Sequence, residues 1–221
     1  MRIDILTLFP EMFQKVFDES IIKRAIQLGK VDIHIVNIRD YTKDVHNKVD
    51  DTVYGGGAGM VLMCQPIFDC IRDIKTENSK VIMLTPSGKV YQQKMAYDLS
   101  LEKHLILLCG HYEGFDERIK SICDMELSIG DYVLTGGEIP AMVIVDSITR
   151  LLPGVITDES HINDSFHNQL LDYPVYTKPR VFEGMEVPEV LLSGDHKKIE
   201  EYREKEMHRL TQENRPDLLD K

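Results

Sequence analysis

The run Leu105-Ile106-Leu107-Leu108 leads straight into Cys109-Gly110-His111-Tyr112-Glu113-Gly114, and this juxtaposition constrains the chain more than any other stretch. Four consecutive apolar residues leave no polar face, so the segment reads as a strand buried on both sides, the mark of a parallel sheet covered by helices. The glycines and polar side chains that follow belong to a loop where a strand hands over to a helix. A second junction of the same kind lies where the strand-like Met125 to Ile129 opens onto the glycine-rich stretch from Ser128 to Glu138. In α/β sheets, ligands bind at such loops.

The rest of the chain alternates in the same way. Arg2 to Leu8 is β-compatible, and Met12, Phe13, Val16 and Phe17 then recur at helical spacing after Pro10. Ser20 is placed to cap a helix through Ile26 that Gly29 stops, and Val31, Ile33 and Ile35 alternate as a strand. Pro66 to Ile74 reads as a helix, and Val81 to Leu84 as a strand ended by Thr85 to Gly88. Lys89 to Leu99 and Phe115 to Ile122 read as further helices, and Ile139 to Leu151 as a long apolar one. This order predicts an α/β fold, a mostly parallel sheet with helices on both faces. Physical priors alone give an open, unknotted doubly wound sheet.

The alternation stops near Pro153-Gly154. The expected organisation is a main domain over 1–156, a polar linker over 157–172 and a small helical domain over 173–221, in which Ser193 or Asp195 caps a charged helix through Arg209. Some fifty residues would be marginal as an independent fold, so this tail needs the main domain or a second subunit. The formal net charge, 26 − 37 = −11, argues against a protein that coats nucleic acid non-specifically, but leaves room for a local basic patch. The four cysteines form no C-x-x-C pair and lie at no zinc-finger spacing, so neither a metal site nor a disulfide framework is expected. No apolar stretch reaches the ~20 residues of a membrane span and the N-terminus is unlike a signal peptide, so the expected compartment is the cytosol.

Gly55-Gly56-Gly57-Ala58-Gly59 lacks both the Gly-Lys-Ser/Thr ending of a P-loop and the spacing of a dinucleotide fingerprint. It is either a flexible turn needing positive φ or a bare backbone that lets a flat ligand or another backbone come close. The loops Thr85 to Gly88, Gly110 to Gly114 and Ser128 to Pro140 would converge along one sheet edge, where exposed backbone and the Glu113 carboxylate suit a neutral or cationic small molecule.

Gly55 to Met60, Cys109 to Gly114, Ser128 to Met142, Asp164-Ser165-Phe166, Tyr176 to Pro179 and Pro188 to Asp195 together resemble the ordered motif series of the bacterial tRNA (guanine-N1)-methyltransferases, members of the SPOUT class. The resemblance runs nearly end to end. It implies a deep trefoil knot in the α/β domain, a homodimer, and methyl transfer from S-adenosylmethionine to N1 of guanosine 37, just 3′ of the tRNA anticodon. By the same resemblance the cofactor-binding residues are Leu84, Thr85, Pro86, Gly110, Tyr112, Glu113, Gly114, Ser128, Ile129, Gly130, Tyr132, Leu134, Gly136, Gly137 and Pro140. Asp164 becomes the general base and Arg150 the stabiliser of charge on O6, while Lys178, Arg180, His196 and Arg203 fall in the tRNA-binding domain. The family's use of Mg²⁺ finds no recognisable ligand cluster in the sequence.

Departures from the pattern fall in the tail: there is no tryptophan, Tyr202 stands where members commonly carry one, and Asp195 replaces a common Asn or His. Two other classes of function compete with the enzyme, a non-catalytic RNA-binding module on the same fold and a nucleotide-binding enzyme. Intact Asp164 and Arg150 disfavour the first, and the missing P-loop ending the second.

Overall fold

The computed structural model describes residues 1–157, 164–166 and 168–219, so part of the expected linker, 158–163 and 167, lies outside the described residues. The chain divides into two compact units, Met1–Ile156 and Thr157–Lys221.

In the first unit, strands β1 (Arg2–Thr7), β2 (Asp32–Asn37), β5 (Ser79–Val90), β6 (His104–Cys109) and β7 (Met125–Ser128) form one sheet in the order β2-β1-β6-β5-β7. Every pairing is parallel. The apolar run that opened the sequence reading is the middle strand, and all six residues of β6 are buried. The twofold alternation of strand side chains sends neighbours to opposite faces. Ile3, Ile5, Ile82, Leu84, Leu105 and Leu107 join one core with Phe13 of α1 (Glu11–Phe17), Ile22 of α2 (Ser20–Gln27), Leu99 of α4 (Gln93–Ser100) and Ile144 of α5 (Glu138–Thr149). Leu6, Val81, Met83, Ile106 and Leu108 join the other with Ile67 and Ile71 of α3 (Cys64–Ile74). The expectation of a mostly parallel sheet with helices on both faces is met.

One charge is buried in this sheet. Asp4 has no exposed surface; its carboxylate pairs with the His104 ring and lies 2.9 Å from Arg2 Nε. His104 Nδ1 in turn lies 2.6 Å from the Ser79 hydroxyl, so the buried polar groups partner one another.

The structure corrects several boundaries. The segment Thr85 to Gly88 does not end its strand: β5 runs to Val90, with a register shift against β7 between Leu84 and Lys89. The chain bulges and then resumes pairing, Lys89 with Leu127 and Val90 with Ser128, which shortens the expected helix from Lys89 to α4. Phe115 is in no helix. It bridges Leu62, and only Glu117–Ile122 winds into a 3₁₀ turn, which the Asp116 side chain caps by accepting from Arg118 N–H. Ser20 is the first residue of α2 with φ +52°, and no side-chain bond caps that helix. The glycine run, read only as a loop, links the antiparallel strands β3 (Asp50–Thr52) and β4 (Met60–Leu62).

In the second unit, β8 (Val181–Phe182) and β9 (Met185–Glu186) form a hairpin whose turn residues Glu183 and Gly184 both have positive φ, as a type I′ turn requires. The Asp195 side chain accepts from Lys198 N–H to cap a helix over His196–Asn214. That helix outruns the expected end at Arg209, because the Arg209 guanidinium reaches both Glu206 and Glu213, each at 2.7 Å, and ties the last turns together. Among the described residues, no helix is long and apolar enough to cross a membrane.

Gly88 tests the bulge. A Cβ there would lie 2.5 Å from Leu127 N and 2.6 Å from the Glu126 carbonyl carbon. Gly88→Ala is expected to destabilise the protein by about 2 kcal/mol, because backbone on the facing strand cannot yield as a flexible side chain can. Urea denaturation followed by circular dichroism checks this.

Candidate functional site

Because β6, β5 and β7 are adjacent and parallel, the segments at their carboxyl ends fall side by side, and hydrogen bonds tie them into a frame. Glu113 N–H donates to the Met60 carbonyl (3.0 Å) and Leu62 N–H to the Gly114 carbonyl (2.9 Å), which binds the loop after β6 to β4. Gly137 N–H donates to the Gly110 carbonyl (2.8 Å), and His111 bridges Gly136, which binds the loop after β6 to the one before α5. Tyr91 N–H donates to the Ser128 carbonyl (2.8 Å) and closes the third side.

The frame encloses a cavity of about 250 Å³. All fifteen residues named for the cofactor line it: Leu84, Thr85 and Pro86 from the bulge; Gly110, Tyr112, Glu113 and Gly114 from the loop after β6; and Ser128, Ile129, Gly130, Tyr132, Leu134, Gly136, Gly137 and Pro140 from the stretch between β7 and α5. His111, Phe115, Leu127, Val133 and Thr135 line it too and were not named. They stand next to named residues in the same three segments, so contiguity was the signal available for them.

Two local features shape the walls. Tyr112 takes φ +59°, a conformation that costs a non-glycine residue on the order of 1 kcal/mol, so the frame holds this residue against its preference. Gly137 lies so close to the strand end that a Cβ would stand 2.7 Å from Cys109 Cα and 2.8 Å from Gly110 N. Of the alternatives left open for the glycine run, the turn at positive φ is the one met. Gly55, Gly56, Gly57 and Gly59 all have positive φ, and a Cβ on Gly59 would also strike the Glu113 side chain.

Electrostatically the cavity is plain. Among the described residues, Glu113 carries its one carboxylate, and no lysine or arginine lines it. Cys109, buried beneath it, is no nucleophile, because burial first and the nearby Glu138 second push its thiol well above the usual range. Outside the cavity, the Arg118 guanidinium beside Asp116 holds that carboxyl well below the usual range. Among the described residues no group of three or more His, Cys, Asp or Glu is arranged to hold a metal ion. A cavity with bare backbone, apolar walls and one negative charge suits a small cation with apolar parts, and offers a phosphate no counter-charge.

The remaining named residues lie elsewhere. Arg150 is the C-cap of α5 in the first unit and does not line the cavity. Asp164 belongs to the second unit, where it lines a separate hollow with Tyr173, Glu200, Glu204 and His208. Lys178 precedes a cis peptide bond to Pro179, and Arg180 Nη2 lies 3.8 Å from Glu189 Oε1. His196 opens the long helix, while the Arg203 guanidinium sits 4.7 Å over the Tyr173 ring and 3.7 Å from Glu200.

Gly137→Ala is expected to push α5 away from β6 and to weaken binding of any ligand of this cavity at least about tenfold, with a smaller loss of stability. Calorimetric titration beside thermal melting separates the two effects.

Comparison with known proteins completes the description. The model of the family described as tRNA (Guanine-1)-methyltransferase TrmD matches residues 1–221. The chain is 56% identical to the tRNA (guanine-N(1)-)-methyltransferase of Dictyoglomus turgidum, covering 100% of this chain and 91% of that protein. It is 57% identical to the protein of the same name from Clostridioides difficile, covering 100% and 98%, and 58% identical to that of Malacoplasma penetrans, covering 99% and 97%. With the match running the full length of the chain, and the glycine-rich loops of the motif series meeting around one cavity, this chain belongs to the TrmD family of tRNA (guanine-1)-methyltransferases.

Proposed function

We propose that this protein is a tRNA (guanine-N1)-methyltransferase that uses S-adenosylmethionine to methylate N1 of guanosine 37, the nucleotide 3′ of the anticodon. The observation that carries the reading is the cavity's charge: among the described residues Glu113 is its one carboxylate, and no lysine or arginine lines it. A nucleoside triphosphate would need cationic partners there, whereas a sulfonium-bearing nucleoside does not. Bare backbone at Gly110, Gly136 and Gly137 suits the edge of an adenine, and Leu84, Ile129, Leu134 and Pro140 give it apolar walls. When bound, S-adenosylmethionine supplies an electrophilic methyl group.

The protein's own residues supply the rest. N1 of guanine holds its proton at neutral pH and is a poor nucleophile until that proton leaves, so a base must stand near it. In this reading Asp164 accepts the proton. The charge that grows on O6 is stabilised by the Arg150 guanidinium, whose planar fork of N–H donors suits a developing oxyanion. Asp164 belongs to the unit that begins at Thr157, and we assign it a role that requires tRNA to bring the linker over the cofactor cavity.

The reading includes the division into a cofactor domain over 1–156, a linker over 157–172 and a tRNA-binding domain over 173–221, with a trefoil knot in the first, a homodimer, and a cytoplasmic location. Support for the dimer comes from α5. It is apolar on nearly all sides, yet Ile139 and Val143 are 48% and 42% exposed, and Met12 and Val16 of neighbouring α1 are 45% and 41% exposed. A helix of that composition calls for cover on its second face.

Incubation with methyl-labelled S-adenosylmethionine and unmodified tRNA carrying guanosine 37, with nucleoside mass spectrometry, is expected to yield 1-methylguanosine. Asp164→Ala is expected to lower turnover about a thousandfold while leaving cofactor affinity in place. Cofactor binding with no product from the wild-type protein would favour the non-catalytic RNA-binding module.

Contacts from the second domain to phosphates make tRNA affinity fall with salt. Replacing Lys178 and Arg180 with alanine is expected to flatten the slope of log affinity against log salt by about 1 for each residue, measured by filter binding. An affinity that does not change with salt would remove these residues from the interface.

A further inference from the structure

A carboxylate lies buried behind the cavity and outside the chemistry described so far. Glu138, the first residue of α5, is only 3% exposed and does not line the cavity. Thr7 Oγ1, at the end of β1, donates to Glu138 Oε1 at 2.7 Å across 131 positions of sequence. The same hydroxyl accepts from Phe9 N–H at 2.9 Å.

Phe9 carries this link to the cavity. Its ring packs against His111, with centroids 4.7 Å apart, and Tyr112 meets the other ring edge-on at 4.9 Å. His111 lines the cavity, and its buried Nδ1 has no hydrogen-bond partner among the described residues. No hydrogen bond at that nitrogen orients the imidazole, whereas the Phe9 and Tyr112 rings pack directly against it. Gly136 closes the circuit: a Cβ there would strike Glu138 Oε2 and lie 2.7 Å from His111 Nδ1, so both groups press on the same wall glycine.

We infer that Glu138 is a positioning residue for the cofactor cavity, fixing His111 and the Gly136 wall through its hydrogen bond from Thr7 and the backbone of Phe9. The inference rests on the reading of this cavity as the S-adenosylmethionine site. It attributes the effect to the hydrogen bond and not to the charge, because an amide oxygen can accept from Thr7 as a carboxylate does.

The test is calorimetric titration of S-adenosylmethionine, without tRNA, into the wild-type protein and the variants Thr7→Val, Thr7→Ser, Glu138→Ala and Glu138→Gln. The His111 ring resonances are followed by NMR in parallel. Thr7→Val and Glu138→Ala are expected to weaken cofactor binding about tenfold and to shift the His111 resonances. Thr7→Ser and Glu138→Gln, which keep donor and acceptor, are expected to stay within about twofold of wild type. Wild-type affinity in Thr7→Val, or a Glu138→Gln protein as weak as Glu138→Ala, overturns the inference alone. Should Glu138→Ala fail to fold, the Thr7 pair decides. A wild-type protein that binds no S-adenosylmethionine overturns the cofactor reading, and this inference with it.

Discussion

Strand β6 is the constraint on which the first unit depends. It pairs with β1 on one side and β5 on the other, and all its residues are buried, so both cores of the sheet share it. Leu105 and Leu107 face one core and Ile106 and Leu108 the other, which fixes the register, since a slip of one residue would exchange the two faces. With β6 fixed, the loop from Gly110 to Gly114 can emerge only at the centre of the carboxyl edge, beside the segment from β5, which in turn lies beside the one from β7. The cavity is a consequence of that placement.

Close packing against neighbouring groups explains several of the glycines in and around the cavity. At Gly137 and Gly88 the requirement is steric: a Cβ would meet neighbouring backbone, although neither residue has positive φ. At Gly59 it is both steric and conformational. Close backbone approach lets the loops bond to one another directly. The same approach forces Tyr112 into a left-handed conformation, a strain repaid by the bonds of Glu113 and Gly114 to β4.

Much of this was legible in the sequence. Uninterrupted apolar runs named the buried strands, and glycine-rich segments after them named the loops that line the cavity. Where the reading failed, pairing partners distant in sequence decided the outcome. β5 continues past Pro86 because β7 offers it a partner at Leu127 and Ser128, and Phe115 stays out of a helix because Leu62 engages it. Neither partner can be read from local propensity. His111 and Phe115 went unnamed for a related reason: which residue of a loop turns inward depends on the neighbours that the fold supplies.

The sequence by itself determined the class of sheet, the identity of its buried strands and, through its ordered motifs, the family, because these depend on apolar period and on residue types at fixed spacing. Only the tertiary structure decided that three segments from across the chain share one cavity with the Glu113 carboxylate in its wall, and that Thr7 reaches Glu138 across 131 positions. The physical reason is range. Periodicity and turn chemistry act over a few residues, whereas a cavity and a buried hydrogen bond exist only after strand order has brought distant segments within a few ångströms.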